Sequence, residues 1–136
     1  MKYYIATGLD NWAQHNMLRD QLAFHGHEIT YDWTVHGSVK GSSGARLREV
    51  ADKELQGIRD ADFVVVLLPG GRGTHAELGA ANILAKPVFI FAPAPTDYFQ
   101  AGPYTCAFYW NSNVVTLYTD DVSEMVAVIS GEIAHV

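Results

Sequence analysis

Short apolar runs alternate with longer stretches of helical spacing along this chain. Lys2–Ala6 (KYYIA) is a β-rich run closed by Thr7 and Gly8. From Asn11 to His25, apolar residues at Trp12, Leu18, Leu22 and Ala23 approximate one helical stripe, and Gly26 is its stop. Glu28–Tyr31 reads as a second strand. Residues 34–45 (TVHGSVKGSSGA) are rich in Gly and Ser and read as a mobile loop. Arg46–Ala61 is the clearest amphipathic helix, with Leu47, Val50, Leu55, Ile58 and Ala61 on one side. Phe63–Leu68 (FVVVLL) is apolar without alternation, as expected of a central parallel strand covered on both faces. A glycine turn follows at Pro69–Gly73, then a small-residue helix at Thr74–Ala85. Pro87–Phe91 and Asn113–Leu117 give the fourth and fifth strands, and Asp120–Ile133 gives a closing helix.

Strands alternating with helices imply βαβ units, right-handed crossovers and a parallel sheet. The expected fold is a single-domain (residues 1–136) three-layer α/β/α sandwich with a five-stranded, mainly parallel sheet of the Rossmann/flavodoxin-like kind. Ligands of such sheets bind beyond the carboxyl ends of the strands. Three segments reach that edge: Thr7–Trp12, Asp32–Thr34 and Pro69–Glu77.

Size and charge narrow the choice of ligand. A chain of 136 residues, 49% of them hydrophobic, can bury roughly two-thirds of its unfolded surface. Its net charge of −6 argues against wrapping a nucleic-acid polymer, whose affinity rests on many cationic phosphate contacts. The charge is uneven, however. Lys40, Arg46, Arg48, Lys53, Arg59 and Arg72 are six of the nine basic residues, so a small anion can still be held beside Arg72.

The lone cysteine, Cys106, excludes an internal disulfide framework and reads as a small hydrophobe rather than a nucleophile. His15, His25, His27, His36, His75 and His135 show neither metal-site nor triad spacing, so no metal and no cofactor is expected. Only His75 stands where it can touch a substrate. No signal-peptide pattern and no membrane-length apolar run is present, and the expected location is the cytoplasm.

Most of the chemical information lies in LLPGGRGTHAELGAA, Leu67–Ala81. Gly70, Gly71 and Gly73 let the backbone turn and approach a ligand without Cβ clashes. The helix that follows presents unpaired N–H groups and a positive dipole end, suited to phosphate, ribose hydroxyls or a carboxylate. The spacing matches neither a Walker loop nor G-x-G-x-x-G. Thr74-His75-Ala76-Glu77 has the form of a capping box, with Thr74 as the cap and Glu77 reaching back. The capping preference alone explains that pattern; in a functional role Glu77 would suit a nucleophile better than a proton donor, since a carboxylate at a helix start is favoured in its ionised form.

This segment, with K-P-V after it, resembles the nucleoside 2-deoxyribosyltransferase family. The resemblance extends over the opening K-Y-Y-I-A, the H-G-H-E-I-T-Y-D-W-T stretch and A-D-x-E-L-x-x-I-x-x-A-D-F-V-V-V-L-L-P-G-G. It is strongest with short bacterial members that carry Y-D-W-T and L-L-P-G-G-[RK]-G. The string PGGRGTHAE is also similar to the PGGxGTxxE motif of cytokinin-activating phosphoribohydrolases, though only locally.

The resemblance implies that Glu77 attacks C1′ of a 2′-deoxynucleoside, expels the base and carries the sugar as an ester until an acceptor base or water resolves it. The chemistry parallels a retaining glycosidase. Tyr4 matches the tyrosine that orients the nucleophile, and Glu54 an acidic residue that assists protonation of the leaving base. The family commonly has Asp at the latter position. Thr7 and Gly8 would form the sugar-side loop. Asp32 is placed to bind base or sugar, or to form an Asx turn. Trp33 can stack on the base or cover the sheet edge.

In place of the acid that many transferases carry six residues before the nucleophile, this chain has Gly71, followed by Arg72, Gly73 and Thr74; Arg72 can clamp a phosphate. Pro93–Trp110, rich in aromatics, corresponds to a stretch that crosses a subunit interface, with Thr105 as the residue lent to a neighbouring site. The expected partners are therefore a deoxynucleoside or deoxynucleotide, a free nucleobase and further copies of the chain (dimer or higher), without nucleic-acid polymer or membrane. Two other functions stay open here: a 2′-deoxynucleoside 5′-monophosphate N-hydrolase, and a nucleotide-binding sensor without turnover.

Overall fold

A computed structural model of the protein describes residues 1–134; His135 lies outside the described residues. Its elements follow the chain as β1 (Lys2–Thr7), a 3-10 turn (Leu9–Asn11), α1 (Trp12–Phe24), β2 (Glu28–Ile29), a second 3-10 turn (Trp33–Val35) and α2 (Gly44–Asp60). Then come β3 (Phe63–Leu67), α3 (Arg72–Ile83), β4 (Val88–Ala92), a third 3-10 turn (Ala107–Trp110), β5 (Val114–Tyr118) and α4 (Val122–Ile133). The strands form one sheet in the order β2-β1-β3-β4-β5, with every pairing parallel. This is the doubly wound three-layer architecture expected from the sequence.

Period-two alternation sends successive residues of each strand to opposite faces. Tyr3 and Ile5 join Phe63, Val65, Leu67, Leu18, Leu22, Met125 and Ile129 in the core beneath α1 and α4. Tyr4 and Ala6 join Val64, Val66, Ile58, Leu78 and Ile90 in the core beneath α2 and α3. Every residue of β3 and β4 is buried, which is why neither strand alternates in sequence. The Tyr4 side chain is thereby committed to the α2/α3 face.

Two boundaries and one buried face differ here from the sequence reading. The second strand is two residues long rather than four, because only Lys2 and Tyr3 of β1 pair with it at the sheet edge. Helix α2 starts at Gly44, where the Ser43 side chain accepts from the Arg46 N–H, so the glycine-serine loop is shorter than its composition suggested. Its buried stripe is also narrower than five residues: Val50 and Ile58 are buried, but Leu47 and Leu55 remain 40% and 37% exposed.

The aromatic stretch before β5 divides in two. Tyr109 is buried and Tyr98 and Phe99 pack on it edge-on, whereas Tyr104, Phe108 and Trp110 stay exposed. No helix among the described residues is long and apolar enough to cross a membrane.

Candidate active site

Chain direction across the sheet reverses between β1 and β3, since β2 lies outside the first and β4 beyond the second. Such a switch point leaves a crevice at the carboxyl ends of the two strands. The Thr7 hydroxyl ties those ends together, donating to the Leu67 carbonyl at 2.7 Å and accepting from the Asn11 carboxamide at 3.1 Å. Above them lies a cavity of about 290 Å³. One wall is Gly8 and the glycine turn through Thr74; the other is Trp33 and residues 36–40.

Two carboxyl groups, Glu54 and Glu77, line this cavity. Glu77, on α3, is only 8% exposed and accepts a hydrogen bond from the hydroxyl of the fully buried Tyr4. The same hydroxyl lies 3.4 Å from a carboxylate oxygen of Glu54, on α2. That approach depends on Gly57, one helical turn further on. A Cβ there would sit 3.0 Å from the Tyr31 Cβ and 3.1 Å from the Tyr4 ring, tighter than ordinary contact, so a side chain would crowd the packing of α2 on β1.

Burial drives the Glu77 carboxyl well above the ordinary carboxylate range, repulsion from Glu54 raises it further, and the Tyr4 hydrogen bond opposes both. Tyr4 is itself pushed well above the usual phenol range by burial and then by the two carboxylates. Two carboxyl groups thus converge on one buried hydroxyl, and it is the Glu77 carboxyl whose charged form burial and the neighbouring carboxylate disfavour.

The capping-box expectation is corrected. Helix α3 starts at Arg72 with Gly71 as its N-cap, and no side chain caps it. Thr74 is the third helical residue and Glu77 the sixth, beyond the first turn in which the helix dipole favours an anion. Burial therefore decides the Glu77 carboxyl, opposite to the ionised form expected from a helix start. The four N–H groups without helical partners belong to Gly71, Arg72, Gly73 and Thr74, all of which line the cavity.

The three glycines of the turn differ in role. A Cβ on Gly70 would fall 2.4 Å from the Thr74 methyl, so only glycine fits; at Gly71 and Gly73 the space is open. None of the three takes a positive φ. Arg72 and Lys40, both exposed, line the cavity, and neither forms an ion pair among the described residues.

Tyr4, Glu54 and Glu77 thus stand together, with Thr7, Gly8, Trp33, Gly71, Arg72, Gly73 and Thr74 around them. Trp33 is a buried wall whose indole N–H donates to the Ile5 carbonyl at 3.0 Å.

Three residues are placed elsewhere. Asp32 does not line the cavity: it pairs with Arg19 at 2.7 Å and caps the turn at Thr34, binding the loop base to α1. Thr105 accepts from the Trp110 indole N–H at 2.9 Å, within the aromatic stretch. The His75 ring is held between the Gly71 carbonyl at 2.8 Å and the Tyr109 hydroxyl at 2.6 Å, and does not face the cavity. Burial pushes that Tyr109 hydroxyl up to about 12.

Sequence reasoning missed His36, Val39 and Lys40, which complete the loop wall. Lys40, a cation in an otherwise glycine-serine stretch, was the available signal. His36 is fixed by the Gly37 carbonyl and the Tyr31 hydroxyl, each at 2.8 Å. Among the described residues, no cluster of His, Cys, Asp and Glu has the arrangement of a metal site.

A doubly wound sheet with two carboxyl groups over its switch point places a small-molecule site where open α/β sheets bind their ligands. The chain belongs to the nucleoside 2-deoxyribosyltransferase family, whose model matches residues 3–129, and is an enzyme of that type. Its fold is similar to the CMP N-glycosidase BcmB of Clostridium botulinum (14% identity, TM-score 0.68, covering 96% of this chain and 99% of that one). It is also similar to a 2-deoxyribosyltransferase of Bacillus psychrosaccharolyticus (21% identity, TM-score 0.62, covering 92% and 90%). These likenesses establish the fold. No curated protein matches the chain.

Proposed function

We propose that the protein cleaves the N-glycosidic bond of 2′-deoxynucleosides through a covalent deoxyribosyl ester on Glu77. The observation that carries this reading is the buried Tyr4–Glu77 hydrogen bond with Glu54 beside the same hydroxyl. In the reactive form Glu77 is ionised, which the Tyr4 hydrogen bond favours, and Glu54 serves as the general acid. A Glu77 oxygen lone pair bonds to C1′, the C1′–N bond breaks, and its electrons leave with the base as Glu54 delivers the proton to a base nitrogen. The oxocarbenium-like transition state gains from the adjacent carboxylate charge. An acceptor base or water, deprotonated by Glu54, then attacks C1′ and frees Glu77.

A second reading is a 2′-deoxynucleoside 5′-monophosphate N-hydrolase, in which water alone resolves the ester. It is favoured by the uncapped start of α3 opening beside Arg72 and Lys40, where a phosphate would meet backbone donors and two cations. The exposed Tyr104, Phe108 and Trp110 are where a second copy would pack.

The test is chromatography of deoxynucleosides and their 5′-monophosphates, each with and without a different free base. A new nucleoside formed only with acceptor marks the transferase; base freed from monophosphates alone marks the hydrolase. Tight nucleotide binding without base release, unaffected by Glu77→Gln, marks a sensor and contradicts both.

A further inference from the structure

The cavity over Glu77 does not end at the glycine turn. A second cavity, of about 570 Å³, shares Gly8, Leu9, Lys40 and Gly71 with it and continues past Asp10, Asn11, Pro69 and Gly70. The junction is where Lys40 stands beside the N-cap of α3. A phosphate of a substrate whose C1′ reaches Glu77 would occupy this junction, and a group attached to that phosphate would pass into the outer cavity.

The outer cavity differs in chemistry from the junction. Asp10 brings a carboxylate with no ion pair among the described residues. Both donor hydrogens of the Asn11 carboxamide are engaged, by Thr7 at 3.1 Å and Gln14 at 2.9 Å, which leaves its oxygen as the group on offer. Pro69 has no N–H to give. Beyond the junction the polar side chains on offer, the Asp10 carboxylate and the Asn11 amide oxygen, therefore accept hydrogen bonds, and Asp10 repels anions.

We propose that the site admits nucleoside 5′-phosphodiesters whose second ester group carries hydroxyl or ammonium donors, and that it discriminates against 5′-diphosphates. This rests on the phosphate-binding reading of the site. One bridging phosphate takes the Lys40 and Arg72 charges, and a hydroxylated tail meets Asp10 and the Asn11 oxygen. A second phosphate in that position would face the Asp10 carboxylate.

The test compares the four common 2′-deoxynucleoside 5′-monophosphates with their 5′-glyceryl esters and 5′-diphosphates, as kcat/KM for base release. The glyceryl ester should lie within tenfold of its monophosphate, and the diphosphate at least tenfold below the ester. An ester more than tenfold below its monophosphate, or a diphosphate above the ester, would overturn the proposal. Calorimetry of the same ligands on the Glu77→Gln protein reads the subsite without turnover. Ester binding within tenfold of the monophosphate, with no base released by the wild type, would sink the glycosidase reading and leave the subsite standing. Absence of ester binding would refute the subsite itself.

Discussion

The two walls of the cavity are built in opposite ways. The glycine-turn wall hangs from β3, buried along its whole length and paired on both sides, and runs directly into α3. It presents mostly backbone, with Thr74 and Glu77 as its buried side chains. The loop wall spans the gap between a two-residue edge strand and α2, and presents Trp33, His36, Val39 and Lys40. The proposed nucleophile needs fixed geometry and low dielectric, which the first wall gives; ligand choice falls to exposed side chains, Lys40 on the second wall and Arg72 at the rim of the first. Chemistry and selectivity should therefore separate under mutation.

Changes at the two carboxyl groups should have the largest effect. Glu77→Gln should lower base release by on the order of 10⁴-fold on every substrate while the protein stays folded, because its carboxylate caps nothing. Full activity in that variant would end the nucleophile assignment, and unfolding would restore a structural role. Glu54→Gln should cost ~10²–10⁴-fold in base release, as expected when a general acid is removed.

On the loop side, Lys40→Ala should lower kcat/KM for monophosphates by roughly 10- to 100-fold, mostly through KM, with little change on nucleosides. Arg72→Ala should do the same from the turn. An equal loss on nucleosides would erase the distinction between the walls.

Tyr4→Phe is milder. Removing one hydrogen bond should reduce kcat by about tenfold and move the acid limb to higher pH, because that bond is what lowers the Glu77 carboxyl. An unmoved limb would place the titrating group elsewhere. The smallest effect concerns stability. Between the ordinary carboxyl value and the raised native value of Glu77, the folded chain holds the extra proton, so stability falls as pH rises through that window. The Tm of Glu77→Gln relative to the wild type should consequently rise as pH increases through that window, as read by thermal denaturation.

The elements of the first wall were legible in the sequence because their signals are local: an unbroken apolar run for β3, glycines at the turn, small residues in α3. The start of α3 was misread because T-x-x-E has the same form whether Thr74 caps a helix or lies buried in its first turn. The second wall was opaque. Residues 34–45 carry no period, and Asp32 found its partner in Arg19, which only folding brings near. Glu54 was visible through family resemblance alone, whereas Gly57, which lets it reach Tyr4, has a cause that no spacing rule reveals.

The ester on Glu77 is open to direct observation. Wild-type protein mixed with a 2′-deoxynucleoside substrate, acid-quenched within a turnover and digested, should give a peptide containing Glu77 heavier by one deoxyribosyl group. The Glu77→Gln protein should give none. Rapid base release with no such adduct, and a sugar product of inverted anomeric configuration, would contradict the covalent mechanism.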